Sequence, residues 1–383
     1  MKKKLLAILL ITALALMALT GCGGGSNQPA ATTGGDNVDS KYSQQFNWRI
    51  QAFTGTGTTF HVWTVHLADL ITRMSGGQLT VEAFGGGELV AVFDGPNAVR
   101  DGVIDATLSY STLWTMEYGM PLFTSNPGEF SDVFDFWYWA KYGGGLEIWR
   151  DAVPAGVHIL VGGLFDTENF MWSTKPVRSI ADLRALKFRM MPLGGDILAA
   201  NGCSVVFLPA GEIVPSIERG VIDAAEYSIS AMDLTLGFHD VAKYYHKPGW
   251  HQPSFLMELA INGNSWNALP DHLKAIVEAA ADANCVYTWM QCAIINNEAE
   301  INFKNNGNEL VILPDDVIAT LYEWTDIWYE EMYATDPFIK RVKESQKNFM
   351  QWWVPYKDNL HIAYPDWAYE KAGDLPYKLV PKT

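Results

Sequence analysis

The chain has 383 residues, of which 49% are apolar and 18% charged, and its formal net charge is −16 at pH 7. A chain of that length and apolar content can bury a large core and is expected to form two lobes. The acidic balance, which no basic patch interrupts, excludes nucleic acid as a partner. It does not bear on a small anionic ligand, which responds to local charge.

Met1 to Lys4 form a basic stretch, Leu5 to Leu19 an apolar one, and Leu19-Thr20-Gly21-Cys22 a lipobox. The predicted reading is a bacterial secretory signal over residues 1–21, with Cys22 acylated as the first mature residue. A membrane anchor fits less well, because the apolar run falls short of the ~20 residues needed to span. Loss of the signal removes three lysines and no acids, taking the charge from −16 to −19. Residues 22–45 then read as a polar, glycine-rich tether between lipid and fold. Three cysteines remain: Cys203, Cys285 and Cys292. The last two stand seven apart on a helical stretch, about 10 Å along its axis and too far for a disulfide. Three buried thiols are expected, and no Cys/His cluster suggests zinc.

Phe46 to Phe53 alternates as a first strand, and a helix from Phe60 to Ser75 ends at Gly76-Gly77. Leu79 to Phe84 reads as a second strand, Asp94 to Asp101 as a helix, and Val103 to Ala106 as a third strand. This is a parallel, doubly wound α/β unit, with its ligand crevice at the carboxyl ends of the strands. Gly55-Thr-Gly-Thr-Thr-Phe60 lacks the third glycine of a dinucleotide motif, and reads better as a glycine-eased turn at a helix start. The aromatic run up to Tyr142 is expected to be core. Gly162-Gly163 and the strand around Val157 to Leu164 mark a crossing to the second lobe. That lobe repeats strand and helix through Phe188, Val205-Val206 and Ala224-Ala225. Phe255 to Ile261 returns to the first lobe, and two crossings make a hinge able to close on a ligand.

From Asn267 the chain reads as helical, with Leu273 to Asn305 long enough to span both lobes. The expected domains are 46–163 with 256–300 as lobe I, and 164–255 with 301–345 as lobe II. Residues 346–383 follow as a C-terminal helical and aromatic extension. Trp324, Trp328, Trp352, Trp353 and Trp367 give this end an aromatic load suited either to a homodimer interface or to packing on the chain's own second lobe.

Arg189, at the end of a short strand, is the first candidate for ligand contact, since a guanidinium offers a planar fork of donors matched to a carboxylate. The surrounding phrases are ADLRALKFRM, GGDILAANG, LPAGEIVPSIERGVIDAAEY and YYHKPGWHQP, with GGGELV at Gly85 and YGGGLEIW at Tyr142. Together they resemble the solute-binding proteins of TRAP transporters, the DctP-type family, in particular the branch for 2-oxo acids and other monocarboxylates. The resemblance runs from about Phe46 to Ala280 and weakens afterwards. It implies a two-lobed periplasmic-binding-protein-like fold, and an exported, lipid-anchored partner of TRAP membrane subunits in the periplasm or on the outer cell surface.

By position, the resemblance implies that Glu168, Glu226, the Tyr227 carbonyl and Gln252 join Arg189 at the ligand. The same four groups would hold a sodium or calcium ion bridging to the ligand's carboxylate and 2-oxo oxygen, an all-oxygen set suited to a hard cation. Two departures stand out: Glu168 where many relatives carry glutamine, and Tyr227 where they carry tryptophan. A second carboxylate beside Glu226 requires a compensating cation. That cation is either a metal or the ammonium of an amino-acid ligand, unless Glu168 is a solvated acid that never meets the ligand. Phe53, Tyr110, Trp172, Tyr227 and Trp250 suggest an apolar or aromatic ligand tail.

No G-x-S-x-G, H-E-x-x-H or P-loop lysine motif supports an enzyme, and His61/His66 and His246/His251, each five apart, lack ligand spacing. The predicted function is capture of a small organic carboxylate for uptake. A ligand-sensing lipoprotein is the alternative of another class.

Overall fold

The computed structural model describes residues 43–114, 120–124 and 127–360. The expected signal, Cys22, most of the tether, Trp367 and the rest of the C-terminal extension beyond 360 lie outside them.

The first sheet follows from strand–helix units in which short apolar strands lie under amphipathic helices. Strands β1 (Phe46–Ala52), β2 (Leu79–Phe84) and β3 (Ala106–Ser109) are parallel, with β1 between the other two. Strand β4 (Val157–Phe165) belongs to the same sheet. The helix Thr59–Met74 connects β1 to β2, capped by the Thr58 hydroxyl on His61 N. It buries Trp63, Leu67 and Ile71 against the sheet. The third strand starts later than the sequence suggested. Gly102, at φ 73°, ends the helix Gly95–Arg100, and Val103 N turns back to Ala98 O. Asp105 is taken by Arg49 N at 2.8 Å and Ser265 Oγ at 2.7 Å, so pairing begins at Ala106.

The second sheet is built from β5 (Met171–Ser173), β6 (Lys187–Arg189), β7 (Ser204–Val206), β8 (Ala224–Ala225), β9 (Tyr244–Lys247) and a last strand, Glu309–Ile312. Its parallel trio places β6 between β7 and β8. The chain then returns to the first sheet as β10 (Phe255–Asn262), antiparallel to both β3 and β4. All eight β10 residues are buried, as in a central strand covered on both faces. The last strand, β11 (Glu309–Ile312), pairs in parallel with β9.

The crossing follows directly after β4, just beyond Gly162-Gly163. Strand β4 continues through Leu164 and Phe165, which pair with Leu256 and Phe255. The glycines allow close approach: a Cβ on Gly162 would stand 2.6 Å from the Leu108 side chain, and one on Gly163 3.3 Å from Thr288 Oγ1. The chain crosses at 166–170 and again at 248–254. The two crossings hold each other, Glu168 N donating to Gln252 O and Thr167 Oγ1 to Pro253 O.

The third link is the helix Asp271–Asn306, whose 36 residues reach about 54 Å at the α-helical rise. Asn284 Nδ2 donates to Gly162 O of the first sheet, and Asn296 Oδ1 accepts Ala231 N in the second lobe, so one rigid rod is fixed to both lobes. Cys203, Cys285 and Cys292 are free and buried. Helix Asp315–Tyr333 packs on helix Pro192–Ala200 of the second lobe. Helix Pro337–Asp358 packs on Asp315–Tyr333 and folds back onto Val133–Tyr142 and its neighbour Gly145–Ala152, over the first lobe. Trp353 Nε1 donates to Asp135 Oδ1 at 2.7 Å and Trp139 Nε1 to Ser345 Oγ at 3.1 Å. Trp324 and Trp328 are buried, Trp324 under the Arg184 guanidinium of the second lobe, while Trp352 is exposed.

Candidate ligand-binding site

Parallel pairing of β6, β7 and β8 brings the residues that follow each strand to one sheet edge, where ligands of α/β folds collect. Arg189 ends β6 and is buried. Its Nε donates to Leu208 O beyond β7 at 3.0 Å, and its Nη1 donates to Glu226 O and Glu226 Oε1 beyond β8 at 2.7 and 2.8 Å. Glu226 Oε1 also accepts Met191 N at 2.6 Å. Among the described residues, the Nη2 edge donates to nothing stronger than the Met191 sulfur, 3.7 Å away.

The crossings supply the second half. Gly249 lets the segment 248–254 lie against the Glu168 backbone, since a Cβ there would collide with the Glu168 carbonyl oxygen. Gln252 Nε2 donates to Glu168 Oε1 at 2.6 Å. His251 Nε2 stands 3.2 Å from Glu168 Oε2 and 3.9 Å from Glu226 Oε2. Burial pushes the Glu168 carboxyl up to about 7; His251 opposes the rise and the Glu226 charge adds to it. Glu168, Glu226 and His251, all buried, each offer a ligand atom within 4.8 Å of the others'.

The first lobe contributes Tyr110, directly after β3, and Phe53, directly after β1, with ring centroids 4.3 Å apart. Burial is the main cause that raises the Tyr110 hydroxyl above its ordinary range, and Tyr227 and Glu168 of the second lobe's site add to it. Tyr227 is half-buried after Glu226, its phenol raised by burial and by Asp233. Asp233 itself is fully buried and raised well above the carboxylate range by that burial, though Asn169 Nδ2, Trp172 Nε1 and Ser228 N all donate to it.

Of the residues singled out from sequence, Arg189 with Glu226 and Gln252 with Glu168 form two hydrogen-bonded pairs that meet at His251, with Tyr227 following Glu226 and with Tyr110 and Phe53 contributed by the first lobe. Trp250 lies in the core, its indole N–H donating to Thr325 Oγ1 at 3.1 Å. Trp172 stacks on Tyr245 and Phe238 inside the second lobe. His251 is the residue that spacing missed. Its partners come from other segments, Glu168 standing 83 positions away, so a search for nearby histidines passes over it. The signal lay in its neighbour, Gln252.

Two α/β lobes joined by three crossings, with Glu168, His251 and Gln252 of the crossings gathered beside the Arg189–Glu226 pair, define a solute-binding protein. Residues 51–336 match the model of the bacterial extracellular solute-binding proteins, family 7. The chain belongs to that family. It is 26% identical, over 90% of its length and 92% of the relative's, to a monocarboxylate 2-oxoacid-binding periplasmic protein of Nostoc. A TRAP solute-binding protein of Colwellia psychrerythraea, solved with calcium and pyruvate, superposes with a TM-score of 0.74 at 25% identity, over 85% of this chain and 99% of that one. One from Bordetella bronchiseptica, a dimer with calcium and picolinate at one site, superposes with a TM-score of 0.73 at 26% identity, over 83% and 95%.

Proposed function

We propose that this protein captures a small organic monocarboxylate of the 2-oxo acid class outside the cytoplasm and delivers it to the membrane subunits of a TRAP transporter, performing no chemistry itself. The observation that carries the reading is the Nη2 edge of Arg189. The ion pair with Glu226 fixes the guanidinium from one side, and the opposite edge holds only a thioether, a weak acceptor that a carboxylate displaces. Arg189, Glu168, Glu226, Tyr227, Gln252, Tyr110 and Phe53 form the proposed ligand site, with Trp250 supporting it from the core.

The site also fits a hard cation. Two buried carboxylates face each other across His251, and Gln252 and the Tyr227 carbonyl would add neutral oxygens, the donor types that sodium and calcium take. Such an ion would offset the second acid and attract the oxygens of a 2-oxo acid. The ammonium of an amino acid would offset the same charge, and the presence of Glu168 supports that second reading. We assign the lipid anchor to Cys22, which would keep the protein at the membrane surface.

Thermal unfolding of the form that begins after Cys22, with a panel of 2-oxo, 2-hydroxy and amino acids, tests the proposal. A ligand at roughly a thousand times its dissociation constant adds about 4 kcal/mol, a shift of several degrees. No shift with any carboxylate overturns it.

A further inference from the structure

We infer that Met191 and Phe207 form the specificity wall of the site and select 2-oxo acids with a branched or aromatic side chain over pyruvate. This rests on the carboxylate reading and goes beyond it by naming the residues that would choose the ligand's tail. Met191 follows β6 and Phe207 follows β7, so parallel pairing places both at the sheet edge that carries Arg189. Both are apolar and open, Met191 40% exposed and Phe207 51% exposed. Single exposed apolar residues are ordinary; these two meet on one guanidinium. The Phe207 ring centroid lies 5.3 Å from Arg189 Cζ, and the Met191 sulfur lies 3.7 Å from Nη2.

A carboxylate that replaces the sulfur on Nη2 carries its substituent into this apolar corner. The Met191 backbone is fixed by its N–H on Glu226 Oε1, while its unbranched side chain can swing aside and repack on the incoming tail. Phe207 supplies a flat face. Pyruvate, with only a methyl group, leaves both surfaces wet, whereas 4-methyl-2-oxopentanoate or phenylpyruvate covers them.

Isothermal titration of the wild type, Met191→Ala, Met191→Leu and Phe207→Ala with pyruvate, 4-methyl-2-oxopentanoate and phenylpyruvate tests the inference. The wild type is expected to bind the larger acids about tenfold or more tighter than pyruvate, and each alanine variant to cut that ratio by about fivefold, with Met191→Leu keeping it. A ratio unchanged in both alanine variants, or a wild type that prefers pyruvate, overturns the wall alone. Failure of all three acids to bind the wild type overturns the carboxylate reading and the wall with it.

Discussion

Arg189 and Glu226 hold each other through both side chain and backbone: Nη1 donates to Oε1 and to the Glu226 carbonyl, and Glu226 N donates to Arg189 O at 3.1 Å. The pair is buried, so neither charge has water to fall back on. The arginine is thereby pre-oriented, and its remaining edge is presented without further ordering when a ligand arrives.

Arg189→Ala is expected to weaken 2-oxo acid binding by about 2–5 kcal/mol. It should also destabilise the fold by about 3–5 kcal/mol, because Glu226 is left buried and unpaired. Arg189→Lys should retain more stability than affinity, since an ammonium cannot reproduce the fork. Titration calorimetry and thermal unfolding of both variants check this; unchanged affinity in Arg189→Ala contradicts the assignment.

Ion dependence separates the two sources of positive charge. With a bound metal, chelation or replacement of sodium should weaken 2-oxo acid binding, and Glu168→Gln should reduce that sensitivity. With a ligand ammonium, binding of an amino acid should resist both treatments and weaken in Glu168→Gln, which removes one acid facing the cation. Dissociation constants measured with and without chelator distinguish the cases.

Glu258, buried in β10, accepts Ser109 Oγ at 3.1 Å and Trp114 Nε1 at 2.8 Å, yet burial pushes it from 4.5 up to about 8. The folded chain therefore holds a proton here that the unfolded chain releases. This contribution to stability is fully present below the ordinary carboxylate range and is lost as the pH rises through about 8. Glu258→Gln, which keeps the shape without the charge, should flatten the fall in unfolding temperature across that window. A wild-type slope retained in the variant would show that other groups set it.

Gly249→Ala drives a Cβ into the Glu168 carbonyl oxygen. The two crossings must then separate, which should lower stability by about 1–3 kcal/mol and weaken ligand binding together, because Glu168, His251 and Gln252 all ride on these segments. Paired unfolding and binding measurements check it. A loss of stability with unaltered affinity would mean that the crossings do not position the site.

Much of this architecture was legible from local pattern. β6, β7 and β8 announce themselves as apolar runs set off by helical phrases, and an arginine at the end of β6 needs no long-range knowledge to be noticed. Local pattern decided less where one signal had two meanings. Gly162-Gly163 reads as part of a crossing, but in β4 it also makes room for Leu108 and for the long helix at Thr288. The C-terminal aromatic residues divide between the lobes: Trp324 lies against Arg184 of the second, while Trp353 reaches Asp135 over the first.

The sequence by itself determined the parallel strand–helix units, the long connecting helix and the placement of Arg189 and Glu226 at strand ends, because side-chain periodicity and turn chemistry act over a few residues. Only the tertiary structure decided that His251 stands between Glu168 and Glu226, that Trp250 turns into the core, and that Met191 and Phe207 share one guanidinium. Each of these contacts joins residues whose proximity depends on sheet register and on how the crossings pack. That information resides in the summed packing of both lobes and in no local stretch of chain.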